Sequence, residues 1–246
     1  MRSIIVIPAR LKSTRLPEKV LLDLGGKPVI QRVYEACLKS QLHNEIWIAA
    51  DSEEVFNICK KFTNNVLMTR EDHPSGTDRI AEVAAKVPCD IVINVQGDEP
   101  FFDAGIIDRL ITAMQQSDAV MASVCAPVET IDELHNPNLV KVVTDVSGYA
   151  VYFSRYAIPF SRDKILEDAS AYKKHMGVYA YKASFLPEFV KLPVSFLESS
   201  EKLEQLRAIE NGYKIKMIAV KGFEKGIDTP EDLEHARKKI ENYGTI

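Results

Sequence analysis

The first half of the chain alternates short apolar runs with amphipathic stretches, and this alternation narrows the available folds more than any other feature. Residues 3 to 8, 45 to 50, 90 to 95 and 119 to 126 are rich in Ile, Val and Ala, and periodic stretches near 29 to 39, 52 to 62, 77 to 87 and 104 to 116 lie between them. Short continuous apolar runs suit strands covered on both faces, and the intervening period suits helices laid on a sheet. Strand and helix alternating in this way connect by right-handed crossovers, so the expected fold class is α/β, with a mostly parallel central sheet flanked by helices. Ligands of such sheets bind beyond the carboxyl ends of the strands, which directs attention to the residues just after each apolar run.

The pattern changes after residue 138. Val140 to Thr144 and Tyr149 to Ser154 are β-branched or aromatic runs joined by Asp145-Val146-Ser147-Gly148, a hairpin signal. Beyond it, residues 196 to 211 and 229 to 242 are expected to be helical, with a strand at 213 to 220. With 246 residues, 46% of them hydrophobic, the expectation is one domain over 1 to 246 whose back half forms a less regular subdomain. The formal net charge of -4 argues against nucleic acid or an anionic membrane as partner, so any anion site must be local. Cys37, Cys59, Cys89 and Cys125 lie too far apart for close-spaced zinc or redox pairs and read as reduced thiols. No long apolar span or signal cleavage site appears, and the expected location is the cytoplasm.

Four segments carry candidate chemistry. After the first apolar run, Pro8-Ala9-Arg10-Leu11-Lys12-Ser13-Thr14-Arg15-Leu16-Pro17-Glu18-Lys19 sets four basic residues against one acid, a set of donors suited to phosphate oxygens; a solvated basic loop is the other reading. Neither a glycine-rich turn after the first strand nor a Walker loop is present: Gly25-Gly26-Lys27-Pro28 lacks the spacing and reads as a turn before a helix. In His73-Pro74-Ser75-Gly76-Thr77-Asp78-Arg79, Ser75 and Asp78 fit a capping box, and the exposed amides meet a ligand only if this loop faces the same sheet edge. Asn94-Val95-Gln96-Gly97-Asp98-Glu99-Pro100 brings Asp98 out at a strand end, where one or two carboxylates with phosphate oxygens suit Mg2+. In Gly226-Ile227-Asp228-Thr229-Pro230-Glu231-Asp232, capping accounts for Thr229 and Asp232 but leaves Asp228, a possible second carboxylate for the metal.

These segments, with Tyr152-Phe153-Ser154-Arg155 and Leu203-Glu204-Gln205-Leu206-Arg207, resemble the 3-deoxy-manno-octulosonate (KDO) cytidylyltransferase family over nearly the whole sequence. The resemblance implies a Rossmann-like nucleotidyltransferase fold, a homodimer meeting through back-half strands, and a step in lipopolysaccharide synthesis. It also implies that CMP passes from CTP to the anomeric hydroxyl of KDO by direct in-line attack on the α-phosphorus, with Mg2+ as cofactor. Residue by residue, Pro8, Ala9, Arg10, Arg15, Lys19, Ser75, Gly76, Thr77, Gln96 and Asp98 are implied to bind CTP. Asp98 and Asp228 are implied to hold the metal, and with Arg10 and Lys19 to form the catalytic set. Gln96, Arg155, His175, Tyr179, Glu204 and Gln205 are implied to hold the sugar acid. Residues 1 to 138 would then serve mainly CTP, and 139 to 246 mainly the sugar acid and the dimer, with Asp228 returning to the metal site. Another nucleotidyltransferase, activating a sialic acid or a sugar phosphate, and a sensor that binds CTP without turnover are the competing readings.

Overall fold

A computed structural model describes residues 1–12, 16–162, 169–224 and 226–243. The chain divides into two compact units, one of residues 1–108 with 224–246, the other of residues 109–223.

In the first unit the strands are β1 (Ser3–Ala9), β2 (Glu45–Ala50), β3 (Val66–Met68) and β4 (Ile91–Asn94), and the helices between them are α1 (Val29–Cys37), α2 (Glu53–Cys59) and α3 (Gly76–Lys86). The strands run in the order β3, β2, β1, β4, every pair parallel. All residues of β1 and β4 are buried, as continuous apolar runs covered on both faces should be. On α1, Val29, Ile30, Val33, Ala36 and Cys37 face inward at helical spacing. Ser52 caps α2 by accepting from Val55 N, with Glu53 and Glu54 in the first turn complementing the helix dipole.

Helix α4 (Ala104–Gln116) leads to the second unit, which contains β5 (Met121–Pro127), α5 (Ile131–His135), β6 (Lys141–Thr144), β7 (Ala150–Ser154), β8 (Lys173–Lys182), α6 (Leu186–Phe189), α7 (Phe196–Glu201), α8 (Leu206–Glu210) and β9 (Ile215–Ala219). Here β5 is paired antiparallel with β8 and parallel with β9, while β6 and β7 form the hairpin expected at 140 to 154. The final helix, α9 (Pro230–Tyr243), belongs to the first unit. The α/β class with a mostly parallel central sheet is therefore as expected.

Two expectations need correction. The helix expected over 196 to 211 is two short helices, because Lys202 takes a left-handed conformation at φ 54°. The guanidinium of Arg155 takes the carbonyls of Glu201 and Lys202, which a continuous helix would need for its own ladder. The longest strand, β8, and the three-residue β3 were not expected at all.

Candidate active site

At the carboxyl ends of β1 and β4 the two backbone segments come unusually close. A Cβ on Gly97 would lie 2.8 Å from Pro8 O, so a side chain at position 97 would push the strand ends apart. A cleft of about 320 Å³ opens there, near the lower limit for small-ligand sites. Pro8 lines it from the end of β1, Arg10 and Lys12 from the loop that follows, Gln96, Gly97 and Asp98 from the loop after β4, and Lys19, Val20, Gly76 and Asp228 complete it.

Lys19 is aimed by its surroundings. Leu11 N is held by both carboxylate oxygens of Asp51 at 3.0 and 3.2 Å, and Glu18 N donates to Leu11 O at 3.2 Å. Glu18 itself sits at φ 54°, uncommon for a residue with a Cβ, and turns the chain into the short 3-10 segment Lys19–Leu21. Lys19 Nζ then hydrogen-bonds Asp98 Oδ2 and, at 3.1 Å, Asp228 Oδ1. Partial burial works against the ammonium charge, but the two carboxylates outweigh it and hold the Lys19 pKa above its ordinary value.

Asp228 reaches this point through backbone pairing. Ile227 N donates to Asp98 O at 2.8 Å, and a Cβ on Gly226 would come within 3.2 Å of both Asp98 O and Glu99 Cγ. The cap of α9 is as expected: Thr229 Oγ1 accepts from Asp232 N, and Asp232 accepts from Thr229 N. Asp232 also accepts from Asp228 N at 3.1 Å, so the capping device fixes the Asp228 backbone as well.

The loop before α3 faces the same edge, which was the condition for a ligand there: the Cβ position of Gly76 is 3.5 Å from Arg10 Nη2 and 3.9 Å from Pro8 Cγ. Ser75 Oγ accepts from Thr77 N and Asp78 N, both at 3.1 Å, and donates to Asp78 Oδ2. The cap is real, although Asp78 answers the hydroxyl and not the Ser75 amide. Thr77 is buried. Arg15 lies outside the described residues, with Ser13 and Thr14.

Glu99 was missed by the sequence reading. It is half-buried beside Asp98 with Oε2 shielded from solvent, and burial first, then the charges of Asp98 and Asp228, push its carboxyl up to about 8. Two adjacent acids at a buried strand end were the available signal, because only one of them can face the cleft.

The remaining expected residues lie in the second unit. His175 on β8 is buried, with Nε2 2.8 Å from Ser123 Oγ and its ring against Phe153 and Tyr179 at 4.9 and 5.5 Å. Burial drives its pKa down to about 3, so the imidazole is neutral. Burial also lifts the Tyr179 hydroxyl well above its ordinary value, with smaller contributions from Tyr181 and Glu204. Gln205 is buried at the start of α8. Arg155 donates Nε to Glu201 O at 2.7 Å, Nη1 to Pro137 O at 3.0 Å and Nη2 to Lys202 O at 3.3 Å. Among the described residues, three of its five N–H groups are thus committed to backbone.

Comparison with known proteins adds a second line of argument. A family model described as Cytidylyltransferase matches residues 4–216. The chain is 44% identical over 244 residues to the 3-deoxy-manno-octulosonate cytidylyltransferase of Geobacter sulfurreducens, covering 96% of this chain and 98% of that one. It is 47% identical over 242 residues to the enzyme of that name from Francisella tularensis, covering 95% and 96%. A solved structure of CMP:2-keto-3-deoxy-manno-octonic acid synthetase complexed with CTP superposes with a TM-score of 0.93 at 40% identity, over 98% of this chain and 99% of that chain.

Proposed function

The chain belongs to the cytidylyltransferase family, as one of its 3-deoxy-manno-octulosonate cytidylyltransferases, and from that premise we propose that it transfers CMP from CTP to the anomeric hydroxyl of KDO, releasing diphosphate, in lipopolysaccharide synthesis. The observation that carries this reading is the meeting of Asp98 and Asp228 on Lys19 in a cleft that Arg10 and Gly76 also line. Two carboxylates whose oxygens converge on one cationic group are a hard-oxygen donor pair, and they fit Mg2+ completed by phosphate oxygens and water. When bound there, the metal supplies charge neutralisation at the phosphates and a lowered pKa for the attacking hydroxyl.

The protein's own part is binding and orientation. Phosphoryl-type transfers need little covalent chemistry from side chains and much positioning, and the reaction proceeds by direct in-line attack without an enzyme-bound intermediate. Arg10 and Lys19 neutralise the triphosphate, with Arg15 a further basic member of the same loop. Pro8, Ala9, Ser75, Gly76, Thr77 and Gln96 form the rest of the CTP set. Gln96, Arg155, His175, Tyr179, Glu204 and Gln205 bind the sugar acid, with the Arg155 guanidinium as partner of its carboxylate.

We read residues 1 to 246 as one nucleotidyltransferase domain that works in the cytoplasm as a homodimer. No helix among the described residues is long and apolar enough to cross a membrane. Val146, Val151, Tyr156 and Phe160 expose apolar surface on and after the β6–β7 hairpin, which supports dimerisation through the back half. A monomer at all accessible concentrations in sizing experiments would reject the dimer.

The deciding experiment measures diphosphate release with each ribonucleoside triphosphate, with and without Mg2+, offering KDO, its 8-amino analogue and N-acetylneuraminate. Release confined to CTP, Mg2+ and KDO is expected. Activity only with another acceptor would keep the chemistry and change the substrate, and CTP binding without turnover on any acceptor would make the chain a sensor.

A further inference from the structure

The cleft of the first unit carries its own cation at the point where two carboxylates converge. Lys19, Asp98 and Asp228 side chains are 13%, 24% and 31% exposed, so they meet where water is scarce but a ligand can enter. An ammonium there and a divalent cation want the same carboxylate oxygens. Lys19 is also the right chemistry for a phosphate, and its ammonium cannot serve phosphate and carboxylates fully at once.

We propose that Lys19 is a resident counter-ion that keeps divalent metal out of the nucleotide-free site, and that a bound triphosphate draws it away from Asp98 and Asp228, so metal and nucleotide bind with positive coupling. This rests on the reading of Asp98 and Asp228 as the metal-holding pair. The backbone need not move: Leu11 is tied to Asp51, Glu18 to Leu11 O, and the side chain beyond Cα has four rotatable bonds on which Nζ can swing. Coupling of this kind is reciprocal, so whatever factor the triphosphate contributes to metal affinity, the metal returns to the triphosphate. The consequence is protection: carboxylates closed by an internal ammonium do not collect stray divalent ions when no nucleotide is present.

Arg10 makes the proposal testable, because it is a second cation lining the same cleft, placed beside Gly76 and not between the carboxylates. The experiment is a titration of Mn2+ into the nucleotide-free full-length protein, following free Mn2+ by electron paramagnetic resonance, for wild type, Lys19→Gln, Lys19→Arg, Arg10→Gln and Asp98→Asn. Lys19→Gln is expected to bind Mn2+ on the order of tenfold more tightly than wild type, within the usual range of coupling between sites. Lys19→Arg keeps a cation and is expected to stay near wild type, Arg10→Gln to change by less than about threefold, and Asp98→Asn to lose the site. Equal tightening in Lys19→Gln and Arg10→Gln reduces the effect to net charge and overturns the proposal, as does no tightening in Lys19→Gln. Mn2+ binding that ignores Asp98→Asn, or is absent from every protein, removes the metal from these carboxylates, overturning the underlying reading together with this one.

Discussion

Two lysines, one in each unit, are held in opposite ways. In the first, Lys19 faces two carboxylates at the edge of an open cleft, where strand ends bring charged side chains to the surface. In the second, Lys141 is fully buried and its ammonium donates to the carbonyls of Asn136, Leu139 and Arg155 at 2.9, 2.7 and 2.7 Å. Burial lowers the Lys141 pKa, only partly countered by Glu201. The Arg155 side chain continues the same device, donating to three further carbonyls, while the Glu201 carboxylate accepts from Ser154 Oγ and Arg155 N. A cation held by carboxylates near solvent can exchange partners, whereas one held by backbone carbonyls is a staple. Lys19 is thus placed to exchange partners and Lys141 to hold its loop in place.

The comparison breaks most visibly at Asp98. Asp98→Ala is expected to lower turnover by about a thousandfold or more while the thermal midpoint moves little, since the residue lines the cleft and not the core. Ordinary diphosphate release from that variant would remove Asp98 from the mechanism. The mirror image is Lys141→Met, which leaves three buried carbonyls without their donor and is expected to cost about 3 kcal/mol in urea unfolding. A loss below about 0.5 kcal/mol would mean that the carbonyl cradle contributes no rigidity.

A pH series sharpens the same contrast. His175 titrates at about 3 folded against an ordinary 6.5, so below 6.5 the unfolded chain binds the proton first. Its contribution to stability is full above about 6.5 and is lost as the pH falls toward 3, about 2 kcal/mol of it by pH 5. His175→Asn should remove that part of the acid slope; an unchanged slope would show that the ring is hydrated. The smallest effect is expected at Ser75, where Ser75→Ala should cost about 1 kcal/mol through the cap of α3. If the variant melts like wild type but needs more CTP, the hydroxyl serves the nucleotide and not the helix.

What could be read in advance is what the local sequence determines. Strands β1, β2, β4 and β5 announce themselves because each is a local apolar run, and the α9 cap because its residues are three apart. Strand β8 did not, since Lys174 and His175 interrupt its pattern and become acceptable inside only through Glu129, Glu133 and Ser123, far away in the chain. The break at Lys202 is equally non-local, being set by a guanidinium from the end of β7. Within the cleft, Asp98 was legible as a carboxylate at a strand end, whereas for Glu99 the adjacent acids gave only a hint, and which of the two turns inward is set by the surrounding packing.

The pairing of Ile227 with Asp98 also bears on how the protein comes into being. A ribosome makes the chain from its amino end, and the basic loop, α3 and Asp98 emerge long before Asp228 does. The early segments can collapse into their sheet, but the second carboxylate arrives only after the whole intervening unit has been translated. A chain released before residue 228 would carry Asp98 without the carboxylate that shares Lys19 with it.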